Sequence, residues 1–255
     1  MGRPGPSPYH RLNPLTKLTA AVATSVAAFV VGGIVGPLVL VAVAVLAPAI
    51  VAGVLRALVR TVVLLALAIA ISVVVINVLF FPAGEQVLFR IGPITATAEG
   101  LAFALEVVAR IVAISGAITL FYLTTTPAEL TIDLERRGVP PRLAFVASSS
   151  VQTVPTMVDR AVAITAAQRA RGLDTEGSIG ARLRGIVPIV GPVILGAIGE
   201  VEKRTMALEA RGFSRPGRRT LLWHPADSPL QRLARWLMVL AIPVFVLARA
   251  AGWLG

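Results

Sequence analysis

Uncharged apolar runs dominate the first third of the chain and give its first predicted elements. No residue from 18 to 55 is charged. These 38 positions are enough for two membrane-spanning helices, because one helix needs about 20 residues to cross about 30 Å of hydrocarbon. Glycine and proline are concentrated at 32–37, where they favour a turn. The pattern therefore predicts two spans, at 18–34 and 38–55.

Three more apolar runs complete a predicted set of five spans, and they cover residues 61–81, 99–123 and 233–251. The segment 82–96 is polar and is interrupted by Gly and Pro, so it is predicted to be a loop. Trp236 and Trp253 flank the last run, as expected of aromatic residues at a membrane interface.

Two shorter apolar runs, at 143–158 and 186–199, are ambiguous. Both are short for spans, and prolines interrupt them at Pro155, Pro188 and Pro192. If both were spans, the arginines between them would lie outside the cell, against the positive-inside rule. We therefore predict half-buried cytoplasmic helices that lie against the membrane or a partner.

The segment after the fourth span carries the signals of a short helix. Thr126 is the predicted N-cap, Pro127 the first helical residue, and Glu129 completes a capping box. Gly138 is suited to the C-terminal cap, and Pro140 prevents continuation. The sequence therefore predicts a helix from Pro127 to about Arg137.

Two long helices should follow, one from about Arg142 to Arg171 and one from Pro188 or Pro192 to Arg211, joined by a linker. Each ends on the same triplet, and the two copies are Ala170, Arg171, Gly172 and Ala210, Arg211, Gly212. Arginine in a last turn followed by glycine is ordinary C-terminal capping. The repetition at two helix ends also suggests two equivalent docking tips, since a guanidinium on a rigid tip can pair with a carboxylate of another protein.

Composition and charge support a membrane protein and give its orientation. The chain has 255 residues, 56% of them hydrophobic, with a mean hydropathy of +0.83. Of its 24 basic residues, 14 lie between 127 and 220, whereas Arg90 and Arg249 alone fall near the predicted outer face. The positive-inside rule therefore places the N-terminus in the cytoplasm. With no cysteine and two histidines, the chain has no disulfides and no histidine metal cluster.

Other polar residues have plainer interpretations. Glu106 and Arg110 lie one turn apart in the fourth span and can neutralise each other, although charges inside a membrane are often functional. Asn77 is expected to make an interhelical hydrogen bond.

His224, Asp227 and Ser228 have the residue types of a hydrolase, but geometry defines a triad and composition does not. The basic loop 214–220 favours anionic lipid over nucleic acid, since no aromatic residues are interleaved with its charges.

Motifs along nearly the whole chain resemble the transmembrane T component of energy-coupling factor (ECF) transporters, the EcfT/CbiQ-like family. The two Ala-Arg-Gly triplets are the specific part, whereas Gln152 stands where many members have arginine. In order, the motifs are LNPLTKL (12–18), TTTPAEL (124–130), RRGVPPRLAF (136–145), AAQRARGL (166–173) and MALEARGF (206–213).

This resemblance implies a scaffold subunit. The T component would join two ABC-type ATPase subunits to a substrate-binding S component for vitamin or transition-metal uptake, in a bacterial or archaeal plasma membrane. Arg171 and Arg211 would be the docking cations, and the small residues beside them would allow close approach. ATP would be bound by the partners, and the sequence indeed has no G-x-x-x-x-G-K-[ST] motif. No cofactor or metal is expected in the chain itself.

The predicted fold is an all-α integral membrane protein with about five transmembrane helices and a cytoplasmic coupling domain of one short and two long helices. The alternative is a self-contained secondary transporter or channel, which should show inverted repeats and broken helices. An intramembrane enzyme would need a cluster of catalytic residues. The predicted segments are a cytoplasmic N-terminus (1–17), spans 1–4 (18–125), coupling helices (126–230) and the final span (231–255).

Overall fold

The computed structural model describes residues 7–80, 86–91, 94–173, 179–215 and 226–251. It divides into two compact units, which are described separately: a membrane unit of 1–137 with 224–255, and a second unit of 138–223. The membrane unit contains α1 (Pro14–Val30), α2 (Val35–Leu40), a π-helical turn (Val41–Leu46), α3 (Ala47–Ala52), α4 (Leu55–Phe80), β1 (Val87–Ile91), β2 (Ile94–Thr97), α5 (Ala98–Thr124), α6 (Pro127–Arg136) and α9 (Pro229–Ala250). The second unit contains α7 (Pro141–Ala170) and α8 (Ile179–Ala210).

The predicted all-α membrane protein is confirmed. Four helical segments are long and apolar enough to cross a membrane, and they are Val35–Ala52, Leu55–Val78, Ala98–Thr124 and Pro229–Arg249. The apolar α1 has 17 residues, or about 26 Å at 1.5 Å per residue, which is near the hydrocarbon thickness. Trp253, the second predicted interfacial tryptophan, lies outside the described residues.

The boundaries of the first three spans differ from the prediction, because glycine conformation rather than charge sets them. Gly33, at φ 71°, makes the turn after α1, and Pro37 lies in the first turn of α2. Gly53, at φ 70°, ends α3, so α4 begins at Leu55. The predicted start at 61 is wrong by six residues, and Arg56 belongs to the helix.

The membrane helices alternate in direction. Lys17 Nζ donates to the carbonyl of Thr124 at 2.8 Å, which brings the start of α1 to the end of α5. Arg249 Nη1 donates to the carbonyl of Val30 at 2.6 Å, which brings the end of α9 to the end of α1. We call the end where Lys17 and Thr124 meet the basic end, because α4 and α9 also begin there with arginines.

Two local predictions are wrong. The segment 82–96 is not simply a loop: β1 and β2 pair antiparallel within it, with Arg90 opposite Thr95. β-Branched and aromatic residues are frequent on both sides of the Gly-Pro step, and such residues favour strands. Asn77 Nδ2 donates to the carbonyl of Val73 in its own helix at 2.8 Å, so its hydrogen bond is not interhelical.

The second unit is an antiparallel helix pair. Phe145, near the start of α7, packs edge-on against Phe213, just after α8, with ring centroids 5.0 Å apart. At the other end, Gln168 Nε2 donates to the carbonyl of Pro188 at 3.2 Å. The α8 helix begins at Ile179 and runs through Pro188 and Pro192, so the predicted start at a proline is wrong. The part of the predicted linker at 179–185 is helical, and 174–178 lie outside the described residues. A proline does not donate a backbone N–H, yet tertiary packing carries the helix past it.

Candidate functional site

Each Ala-Arg-Gly triplet forms the same C-terminal cap. After α7, Gly172 has φ +91°, its N–H donates to the carbonyl of Arg169 at 2.9 Å, and Leu173 N–H donates to that of Gln168 at 3.0 Å. This pair of bonds defines a Schellman motif. Glycine is favoured at such a position because it has no Cβ to oppose positive φ.

The cap after α8 repeats this geometry. Gly212 has φ +72°, its N–H donates to the carbonyl of Glu209 at 2.8 Å, and Phe213 N–H donates to that of Leu208 at 3.0 Å. An apolar contact made by the residue after the glycine commonly accompanies a Schellman motif. At this tip the bulky residue is Phe213, and its ring packs against Phe145 of α7.

Capping accounts for the two glycines but not for the two arginines. Arg171 uses its backbone N–H in the cap, donating to the carbonyl of Gln168 at 3.0 Å, as Arg211 does with Leu208 at 3.1 Å. Both residues are exposed. Within the described part of the chain, neither guanidinium makes a hydrogen bond or an ion pair. Each tip therefore presents an arginine whose side chain is free for another molecule.

The tips lie at opposite ends of the helix pair. The second tip is beside Phe145, and the first follows Gln168. From Phe145 to Arg171 is 26 residues along α7, or about 39 Å of helix. Two separate surfaces are needed to contact both arginines.

The helix pair is held at its middle by a charge contact. Arg160 Nη2 donates to Glu200 Oε2 at 2.6 Å, and Arg204 Nη2 contacts the other oxygen of Glu200 at 3.3 Å. Gly196 allows this approach, because a Cβ there would lie 3.3 Å from Arg160 Nη1. This contact connects the helices that carry the two tips.

A buried polar network forms at the basic end of the membrane unit. Asn13 is fully buried, and its Nδ2 donates to Asp133 Oδ1 of α6 at 2.9 Å. Arg235 of α9 is 8% exposed and donates to Thr16 Oγ1 at 2.8 Å. Its other nitrogen donates to both oxygens of Asp227, at 2.8 and 3.0 Å. The network joins the starts of α1 and α9 to α6.

One further arginine, Arg137, extends this network to the end of α6. Arg137 Nε donates to Asp133 Oδ2 at 3.2 Å, and its Nη2 donates to Asp227 Oδ2 at 3.0 Å. Sequence analysis missed this site, because the contacts that join its different helices connect residues about 90 to 220 positions apart. The available signal was a pair of arginines in the first turns of an apolar span, where charge must find a partner.

Comparison with known proteins identifies the family. A family model described as "Cobalt transport protein" (CbiQ) matches residues 5–221.

The chain belongs to this CbiQ family.

The relatives of this CbiQ-family protein are named "Energy-coupling factor transporter transmembrane protein EcfT". The protein of Streptococcus equi subsp. equi is 32% identical over 88% of this chain and 88% of its own length. That of Lactococcus lactis subsp. cremoris is 30% identical over 90% of this chain and 91% of its own. That of Listeria innocua is 36% identical over 60% of this chain, and the match spans 62% of that protein. The resemblance seen in the motifs is confirmed, and the chain is a multi-pass transmembrane component of an ECF transporter.

The family motifs acquire physical roles in the membrane unit. Lys17, from the motif LNPLTKL, is 2% exposed and donates to the carbonyls of Thr124 and His10 at 2.8 and 3.2 Å. Thr126, from TTTPAEL, accepts from Glu129 N–H at 3.3 Å, and Glu129 accepts from Thr126 N–H at the same distance. The predicted capping box is confirmed.

The remaining candidates in this CbiQ-family chain have structural contacts. Arg110 pairs with Glu106, whose Oε1 also accepts from Gly33 N–H at 3.1 Å in the turn after α1. Ser228 Oγ accepts from Gln231 N–H at 3.3 Å and caps α9. His224 and residues 216–220 of the basic loop lie outside the described residues. Among the described residues, no group of three or more His, Asp or Glu could hold a metal ion.

Proposed function

We propose that this chain is the coupling scaffold of an ECF-type ABC importer. In this proposal two ABC-type ATPase subunits dock on the tips of α7 and α8, and an S component that binds the substrate contacts the same helix pair. The observation that carries it is the pair of matching caps, each presenting an arginine without a partner among the described residues. Family membership supports a role in an ECF transporter.

The docking chemistry rests on Arg171 and Arg211. A guanidinium is always charged and presents a planar set of donors that matches a carboxylate. Each arginine stands at a helix end whose Schellman cap fixes the backbone. Ala170 and Ala210 come just before them and are exposed, so a partner surface meets little side-chain bulk there. Gly172 and Gly212 complete the tip for the same reason.

The contact with the S component is supported by an apolar groove between α7 and α8. The groove has a volume of about 620 Å³. Val154, Val158 and Val201 are 64%, 57% and 64% exposed along it. Thr153 Oγ1 donates to the carbonyl of Ser149 at 2.7 Å, so this hydroxyl is already satisfied. Such a surface suits another apolar helix more than water.

Energy would come from the partners. The sequence contains no P-loop motif, so we assign ATP binding and hydrolysis to the ATPase subunits and substrate choice, a vitamin or a transition metal, to the S component. The positive-inside rule supports a cytoplasmic basic end and N-terminus, with Arg249 at the outer end. ATP-driven closure of the ATPase pair would then move α7 and α8.

The test is copurification of ATPase subunits with tagged variants from the host membrane. Arg171→Ala and Arg211→Ala should each reduce recovery of the ATPases, and the double variant should nearly abolish it. Removing one member of a buried, hydrogen-bonded charge pair typically costs about 2–5 kcal/mol, or roughly 30-fold or more in affinity. Lys203→Ala is the control, because Lys203 is an exposed cation on α8 that lies two turns before the second tip.

Two results would overturn the proposal. One is normal recovery of the ATPases and normal uptake with the double variant. The other is substrate transport by the purified chain in liposomes without ATPases, which would instead indicate the self-contained transporter. A cross-linking arm with a photoreactive residue at Val154 tests the groove, and capture of the ATPases instead of a small membrane protein would refute its assignment to the S component.

A further inference from the structure

An apolar groove lies within the membrane unit, between the π-helical turn and α4. Its volume is about 280 Å³. Every residue lining it is aliphatic or glycine, with α5 contributing Val112 and Gly116. The groove walls therefore offer no polar group to a water molecule, and hydrocarbon is the matching occupant.

The groove has a defined wall because of the π-helical turn. Pro48 does not donate a hydrogen bond, and the N–H of Ala47 reaches back five residues to the carbonyl of Ala42. The widened turn holds Val45 against Gly116, where a Cβ would lie 2.9 Å from Val45 Cγ1. Val45 is 1% exposed. π-Helical turns are frequent at functional sites.

The groove has the length of one leaflet. On α4 it extends from Leu58 to Ala70, which is 12 residues or about 18 Å. Half of a hydrocarbon core of about 30 Å is about 15 Å. The groove begins three residues into α4, so it occupies the half of the membrane next to the basic end. A single acyl chain of that leaflet fits this position.

Two arginines stand at the basic end of the same helix. Arg56 precedes Val59 by three residues and Val63 by seven, and Arg60 precedes Val63 by three. These spacings place the two arginines on a helix face that neighbours the face lining the groove. Both arginines are exposed, and within the described ranges neither makes an ion pair or a hydrogen bond.

Acidic residues at the basic end do not pair with the two arginines in the described part of the chain, and this includes Glu135 of α6. The sequence has no acidic residue before Glu85. At the basic end, Asp133 pairs with Arg137, and Asp227 with Arg137 and Arg235. Glu129 is used in its capping box. We therefore expect the anion that pairs with Arg56 and Arg60 to come from another molecule.

We propose that the groove and the two arginines form a binding site for one anionic phospholipid. One acyl chain occupies the groove beside Val45, and the lipid phosphate binds Arg56 and Arg60. This site is in the membrane unit and does not depend on the proposed docking of ATPases. A basic residue near an anionic bilayer surface contributes about five-fold, so two give roughly 30-fold preference over a zwitterionic lipid.

The experiment is native mass spectrometry of the full chain with phosphatidylglycerol and phosphatidylcholine of identical acyl chains. We expect one phosphatidylglycerol to be retained with about 30-fold preference. Arg56→Gln/Arg60→Gln should lose this preference. Arg11→Gln is the control, because Arg11 is an exposed arginine preceding α1 at the same end. Glycerol phosphate, which has the headgroup charge and no acyl chain, should not be retained.

A second pair of variants tests the groove. Val63→Trp fills it, since Val63 lines the groove and is 49% exposed. Leu64→Trp is the control, because Leu64 is 70% exposed on α4 and does not line the groove. The first variant should lose phosphatidylglycerol and the second should keep it, both with melting temperatures near that of the parent. Three results would overturn the proposal. The first is equal retention of both lipids, and the second is retention that either Arg56→Gln/Arg60→Gln or Val63→Trp leaves unchanged. The third is capture of a protein at Val63 by cross-linking.

Discussion

Replacing Arg235 with methionine should destabilise the membrane unit strongly. The guanidinium of Arg235 donates to Thr16 and to both oxygens of Asp227, at 2.8, 2.8 and 3.0 Å. The methionine keeps the apolar stem and removes these donors. Asp227 would keep Arg137 at 3.0 Å but lose its bidentate partner.

The magnitude follows from burial. The side chains of Arg235 and Asp227 are 10% and 11% exposed. Breaking a buried pair on one side costs about 3–5 kcal/mol, and the remaining contact with Arg137 offsets part of this. We therefore expect a loss of about 3 kcal/mol, which lowers the melting temperature by roughly 6–12 °C for a protein of this size.

Arg232→Met is the matched control. Arg232 lies one turn earlier on α9 and approaches the same carboxylate, at 3.8 Å, but its side chain is 60% exposed. Exposed pairs contribute about 0–1 kcal/mol, so its melting temperature should change by less than about 4 °C. The assay is thermal unfolding of the purified chain in one detergent. Equal shifts for Arg235→Met and Arg232→Met would refute the claim that burial of the network carries its stability.

Two further predictions follow from close contacts. Gly116→Leu should force Val45 away, because even a Cβ at position 116 would lie 2.9 Å from Val45 Cγ1. Overpacking of this kind costs about 1–3 kcal/mol and should lower the melting temperature. Gly191→Leu is the control, since a Cβ there has nothing within 4 Å. Burial and the charge of Lys17 lower the pKa of His10 below its ordinary 6.5. The unfolded chain then takes up a proton at higher pH than the folded chain, so stability should fall as pH drops through about 6.5. His10→Gln should flatten this part of the stability curve, and an unchanged curve would assign the pH dependence to other groups.

Local signals in the sequence were enough for the helical membrane fold and for both tips. Long uncharged runs predict spans because backbone groups in hydrocarbon must be bonded within the segment. Thr126 with Glu129 and Gly172 with Gly212 mark helix ends, since capping depends on residues within one turn. The capping box and both glycine conformations are as their sequence patterns predict.

Tertiary structure decided what depends on distant residues. The partners of Arg235, Asn13 and Asp133 cannot be chosen from sequence, because equally charged residues recur along the chain and packing selects among them. The same holds for the passage of α8 through Pro192 and for the π-helical turn before Pro48. The sequence by itself determined which apolar runs form membrane helices, where the caps lie and where the two tip arginines stand, since these follow from hydrocarbon thickness and local hydrogen bonding, whereas the boundaries of the first three membrane helices did not follow from it. Tertiary packing alone decided that the tips lie at opposite ends of one helix pair and which buried charges neutralise one another, because those outcomes depend on contacts between segments far apart in the chain.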